Sequence, residues 1–319
     1  MIIHDDLPIR RLGRTGLAVS MLGLGCAPLG ALEGAEGERA AIETVQYAVE
    51  HGCTLVDVAP FYGAGRSERY VGAALAGVPR DSFVLSTKVG RLVSADGDVS
   101  FDFSRDGVLR SVEDSLQRLG LDHVDVLHTH DPDDHYEQAL NEAYPALSDL
   151  RDQGVVKGVG AGMNQWEMER QFAGNADFNC FLLAGRYTLL EQTPLDTFFP
   201  QCLENNNGLV LGGVYNSGVL ASGARADAQY NYAPAPPSVL DRVSRIEAIC
   251  ERHGVALNVA ALQFAAAHPA VSSLVVGGVS PQEVEANIAA RSIPIPEALW
   301  GDLKLERLIA SNAPTPTRS

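Results

Sequence analysis

Short apolar runs alternate along the chain with segments whose apolar residues recur at helical spacing. MLGLGCA (21–27) precedes a helical pattern over 38–50, and CTLVDVA (53–59), SFVLSTK (82–88) and VDVLHTH (124–130) follow. Helical patterns over 104–119 and 136–153 trail the last two runs. The second half supplies VVKGVGAG (155–162), NCFLLAG (179–185), GLVLGGV (208–214) and SSLVVGG (272–278), each with a helix directly behind it or after a loop. Runs that are apolar on both faces and joined by helical crossovers imply a parallel sheet, and eight such units are best satisfied by closure into a (β/α)8 TIM barrel. An open doubly wound sheet is the alternative, but no GxGxxG follows the first run, where that fold would place its phosphate loop. A hairpin around 10–20, a polar loop over 222–237, an extra C-terminal helix over 297–309 and a loose tail from 313 to 319 complete the pattern.

Composition narrows the function classes. A chain of 319 residues with 46% hydrophobic and 20% charged residues is ordinary globular material, and its length suits one barrel domain over 1–319. The 24 Lys and Arg stand against 40 Asp and Glu, and the net charge of −16 argues against nucleic acid and anionic membrane surfaces as partners. The five cysteines form no CxxC or paired Cys/His framework, which fits a reducing compartment. No signal-length apolar run opens the chain and no stretch is long enough to span a bilayer, so a cytoplasmic location is expected. The oligomeric state is not legible.

In such a barrel the active site lies at the C-terminal ends of the strands, so polar residues that end apolar runs carry information. Asp57 ends the second run, with Tyr62 just beyond a tight PFYGAG turn; Lys88 ends the third and His130 the fourth. Taken singly, each has an ordinary reading as a helix cap or a solvated rim residue. Together they bring an acid, a phenol, an ammonium and an imidazole to one mouth. His128 shares a strand face with His130 and reads as a deeper residue with hydrogen-bonded ring nitrogens. A metal set built from His128, His130, Asp131, Asp133 and His135 is the weaker reading, because 131–134 reads as a Pro-containing turn, and no metal is expected.

These motifs resemble the aldo-keto reductase family. DVAPFYG matches its pattern DTAxxYG, STK its catalytic-lysine strand, and VDVLHTHDPD its strand ending in the catalytic histidine, over nearly the whole chain. The resemblance implies a nicotinamide-dependent oxidoreductase with Tyr62 as general acid/base, Lys88 and Asp57 as the ion pair that tunes it, and His130 orienting the reacting oxygen. Elementary chemistry agrees: a free phenol near pKa 10 exchanges protons poorly at neutrality, and a neighbouring ammonium is expected to lower it.

The resemblance also locates a cofactor groove. SSLVVGGVSPQEVEAN is similar to the segment that holds the adenine end; aligned on Asn287, it puts Gly277, Gly278 and Glu283 where NADP-dependent members carry a lysine, a serine and an arginine. The resemblance therefore implies NAD as the preferred cofactor, with NADP as the alternative. Glu283 also has a plain reading as a residue favoured near a helix start. Asn164 in GAGMNQ stands in for the family's Ser-Asn pair. Ala184 replaces the usual carboxamide-binding glutamine, leaving Tyr187 nearby as a further cofactor candidate. By the same resemblance, Tyr215, Asn216 and Ser217 of VYNSG, with the backbone at Gly25 and Cys26, are expected to line the pyrophosphate.

Within the family, FDFS (101–104), VLSTKVGR (84–91) and DVLHTHD are similar to the branch of L-galactose, L-fucose and D-threo-aldose dehydrogenases, with pyridoxal 4-dehydrogenases also similar. The expected reaction is hydride transfer from C1 of a small-molecule sugar such as L-fucose, L-galactose or D-arabinose, giving the lactone. Pyridoxal or general aldehyde chemistry is the alternative. A nucleotide-sensing subunit resembling potassium-channel β subunits stands behind both.

Overall fold

The computed structural model describes residues 7–94 and 96–316. Residues 1–6 and residue 95, with the last three residues of the tail, lie outside the described residues. Eight parallel strands close into a barrel in sequence order. They are β1 (Leu22–Gly25), β2 (Leu55–Asp57), β3 (Val84–Val89) and β4 (Val126–His130), then β5 (Gly158–Met163), β6 (Cys180–Ala184), β7 (Gly208–Gly212) and β8 (Val271–Gly277). The last pairs with the first through Leu274↔Leu22 to Gly277↔Gly25. Each of these strands lies within one apolar run of the sequence or extends a single residue beyond it.

Helices cover the barrel's outside: α1 (Gly34–Glu50), α2 (Arg66–Leu75), α3 (Arg105–Leu119), α4 (Tyr144–Asp152) and α5 (Trp166–Asn175). The second half adds α6 (Phe198–Asn205), α7 (Pro237–Arg252), α8 (Leu257–Ala266), α9 (Pro281–Ala290) and α10 (Glu297–Leu305). The helix expected over 104–119 begins after an Ser104 cap, whose hydroxyl accepts from the Gly107 N–H at 3.1 Å, and stops at Gly120 with φ 64°. α1 starts earlier than its pattern suggested, at Gly34. The helix expected over 136–153 is interrupted by a π-helical turn over 139–143 just ahead of Pro145. A proline ring clashes with the carbonyl four residues back, and the wider turn accommodates it.

The period of two sorts each strand into inward and outward sets. Val84 and Val126 join Leu55, Cys180, Val210 and Val275 in an apolar layer inside the barrel, with Leu12 and Val19 of the N-terminal hairpin closing its floor. That hairpin pairs Ile9–Arg11 with Ala18–Ser20. One step up β3 and β4 lie Ser86 and His128, and one step further Lys88 and His130. Two strand periods thus separate a dry floor from a polar mouth. The remaining core lies between barrel and helices. Among the described residues no helix is long and apolar enough to cross a membrane.

Candidate active site

Lys88 is the centre of the mouth. Its ammonium, 1% exposed, donates to Asp57 Oδ2 at 2.8 Å, to the Val58 carbonyl at 3.0 Å and to the Tyr62 hydroxyl at 3.1 Å. Burial opposes its charge, but the Asp57 carboxylate and the Tyr62 phenol outweigh that effect and hold the ammonium firmly protonated. Ser86 donates to the other Asp57 oxygen at 2.9 Å. Its hydroxyl also lies 3.2 Å from His128 Nδ1, and His128 Nε2 lies 3.7 Å from Cys180 Sγ. Both ring nitrogens of His128 are thus occupied one layer below the mouth, as its strand position suggested.

Tyr62 departs from the simple expectation. Lys88 does pull its pKa down, but burial is the larger influence and Asp57 offsets much of the lysine's charge, so the phenol is pushed up to about 12. A tyrosine in this setting rests as a proton donor. His130 packs edge-on against Tyr62, with ring centroids 5.9 Å apart at 88°. Burial, then Lys88, Arg91 and His128, holds its pKa well below 6.5, so the imidazole is neutral. The phenol, the neutral imidazole and the ammonium behind them form a set able to bind one oxygen and exchange its proton.

A cavity of about 610 Å³ opens over this set, bordered by Phe61, Arg91, Asp131, Met163 and Asn164 among others. It shares Ala27, Tyr62, Leu182, Ala184 and Tyr232 with a trough running along Gly25, Gly212, Gly213 and Gly277 to Glu283. The trough continues past Tyr215, Ser217 and Gly218 to Asn287. Its floor is glycine for a spatial reason: a Cβ on Gly277 would sit 2.8 Å from Pro28 Cγ, and one on Gly212 would fill the space beside Leu182 and Ala184. An elongated, flat-floored trough ending at Tyr62 fits a nicotinamide dinucleotide.

Most of the residues expected to hold the cofactor line this trough or the cavity it joins. Gly25, Tyr215, Ser217, Gly277, Gly278 and Glu283 border it, Asn287 accepts from the Tyr215 hydroxyl at 2.9 Å, and Asn164 donates to the Ala184 carbonyl at 2.8 Å beside the cavity over Tyr62. Three do not. Tyr187 is buried outside the barrel against Phe199, Phe264 and His268, because the chain turns outward at Gly185, φ 68°. Asn216 is 2% exposed, and its amide accepts from Thr188 Oγ1 at 2.5 Å and donates to the Gly185 carbonyl at 3.1 Å, tying two loops together. Cys26 is fully buried, with its N–H on the Asp57 carbonyl and its own carbonyl on Ser67. Glu283 has two duties: it borders the trough and also accepts from the Val279 N–H at 3.0 Å.

Sequence reasoning did not single out Arg91 or Tyr232, and it named Asp131 only within the weaker metal reading. Arg91 follows the Lys88 strand within a quoted motif, and Asp131 follows His130 directly. Tyr232 sits at the tip of a small hairpin, Gln229–Tyr230 with Ala233–Pro234, that no periodicity marks. Ser86 could have been found from the period of two, being the inward residue below Lys88.

A closed eight-stranded α/β barrel whose mouth holds a tyrosine, a lysine, an aspartate and a histidine above a dinucleotide-sized trough defines a class of nicotinamide-using oxidoreductases. The chain belongs to the aldo/keto reductase family, whose model matches residues 21–304. It is 40% identical to the D-threo-aldose 1-dehydrogenase of a Pseudomonas species, over 94% of this chain and 97% of that protein. It is 37% identical to the pyridoxal 4-dehydrogenase of Microbacterium luteolum, over 94% and 98%. An aldo-keto reductase of Bacillus halodurans, solved in its holo form, superposes with a TM-score of 0.77 at 25% identity, over 96% of this chain and 98% of that one.

Proposed function

We propose that this oxidoreductase oxidises a neutral aldose at C1 to the lactone, with NAD preferred over NADP. The observation that carries the reading is the contact of Tyr62 OH with Lys88 Nζ at 3.1 Å, at the point where trough and cavity meet. A nicotinamide bound in the trough supplies the hydride acceptor. Tyr62 takes the proton of the C1 hydroxyl as the hydride leaves C1. Lys88, held by Asp57, stabilises the phenolate form that accepts this proton, and His130 orients the same oxygen. Asn164, its side-chain nitrogen tied to Ala184, offers its oxygen to a carboxamide. Glu283, where a basic residue would favour a ribose 2′-phosphate, repels that phosphate and can accept from a ribose hydroxyl.

The D-threo-aldose relative supports the sugar, and the pyridoxal relative supports a second substrate class. A screen of NADH and NADPH formation over L-fucose, L-galactose, D-arabinose and pyridoxal separates them. The proposal expects an aldose with NAD to give the highest specificity constant. Pyridoxal well ahead of every aldose would replace the sugar reading with the second one.

A further inference from the structure

The cavity's far wall holds a charge pair that the chemistry above does not use. Asp131 follows His130 and adopts a left-handed backbone, φ 45°, unusual for a residue with a side chain. Its N–H donates to the Gly162 carbonyl at 3.1 Å, which fixes the turn, and its carboxylate accepts from Arg91 at 2.9 Å. Arg91 is itself immobilised, with its guanidinium carbon 3.3 Å above the centre of the Phe61 ring and 5.4 Å from that of Phe101. The Arg91 Nε is buried without a hydrogen-bond partner among the described residues. Asp131 Oδ2 lies 3.6 Å from His130 Nε2, too long for a hydrogen bond in this form of the protein.

A carboxylate held rigidly beside the imidazole that orients the reacting oxygen is placed to accept from the next hydroxyl along a sugar. Neighbouring hydroxyls on a ring stand at about the spacing of two adjacent hydrogen-bonding sites. The clamp of Arg91 and Phe61 fixes the carboxylate before substrate arrives, so no side-chain ordering accompanies recognition. The geometry points to Asp131, clamped by Arg91, as the residue that reads the hydroxyl on C2, making the enzyme selective for 2-hydroxy aldoses over deoxy sugars and plain aldehydes. This inference rests on the aldose reading of the site.

The test pairs substrate and side-chain deletions. Wild type, Asp131→Asn and Asp131→Ala are assayed with the best aldose, its 2-deoxy analogue and, in reduction, a simple aliphatic aldehyde. The wild type should favour the aldose over its 2-deoxy analogue by at least tenfold in kcat/KM, mainly through KM. Asp131→Ala should collapse that preference to within about threefold, while aldehyde reduction stays within about threefold of wild type. Asp131→Asn, which keeps an acceptor without the charge, should fall between. If aldose is oxidised but the preference survives in both variants, Asp131 does not read the hydroxyl and this inference fails alone. Loss of aldehyde and aldose turnover together would assign Asp131 a structural role and also overturn it. A wild type that oxidises no aldose at all overturns both this inference and the reading beneath it.

Discussion

Tyr62 is a phenol pressed against an ammonium whose charge is largely claimed by Asp57, and burial leaves it at about 12. That value has a direction-dependent consequence. Oxidation needs the proton-accepting form, which grows with pH everywhere below the pKa, whereas reduction uses the protonated form present throughout the neutral range. Sugar oxidation should therefore rise between pH 7 and 9 without a plateau, and aldehyde reduction should stay nearly level. Tyr62→Phe loses only a hydroxyl, so the fold should persist while activity falls by at least about a hundredfold and the pH slope of oxidation vanishes. A correctly folded Tyr62→Phe protein with near-normal turnover would remove Tyr62 from the reaction. So would an oxidation rate that levels off below pH 8 in wild type but not in the variant.

At the scale of the element, the proposed preference for NAD rests on α9 and the trough beside it. The helix begins at a Ser280 cap whose hydroxyl accepts from the Glu283 N–H at 3.3 Å, while Glu283 reaches back to Val279. A carboxylate several ångströms from a ribose phosphate is unfavourable by about 2–4 kcal/mol per charge pair at an effective dielectric near 20, and by less where water screens it. Glu283→Arg should move the ratio of NAD to NADP specificity constants toward NADP. A ratio that does not move would assign ribose selection to other residues. The same scale explains what the sequence could tell. Asp57 and His130 end strands and Lys88 lies one residue before a strand end, where the barrel's geometry fixes direction, so their convergence was legible from run length and periodicity. Arg91 and Tyr232 sit in short hairpins whose paths depend on tertiary contacts, and neither pattern nor spacing marks them. Tyr187 and Asn216 were assigned to the cofactor on linear position alone. The left-handed turn at Gly185 sends the first into the outer core, and the Thr188 and Gly185 bonds take the second.

For the molecule as a whole, several histidines are buried in neutral form, and folding stability should depend on acid accordingly. His268 packs against Tyr187 and Phe199, and burial lowers its pKa to about 4; burial and Lys88 lower that of His128 to about 3. Both values lie below the 6.5 of an exposed histidine, so between them the unfolded chain binds more protons than the folded one. The stabilisation is complete above about pH 6.5 and is lost as pH falls through the folded values. Glu169, fully buried and raised by that burial, works in the opposite sense, so the effect is best read within a variant pair. His268→Gln should lose less Tm than wild type between pH 7 and pH 5. Parallel curves would mean that His268 is not held neutral.

The central claim is that hydride leaves C1 of a sugar for a nicotinamide at this mouth. Deuterium placed on C1 of the preferred aldose tests it most directly, with the recovered cofactor weighed by mass spectrometry. The account predicts one deuterium in the reduced cofactor, a lactone without it, and slower turnover whenever chemistry limits the rate. Reduced cofactor without deuterium, or deuterium retained in the oxidised sugar, would contradict it.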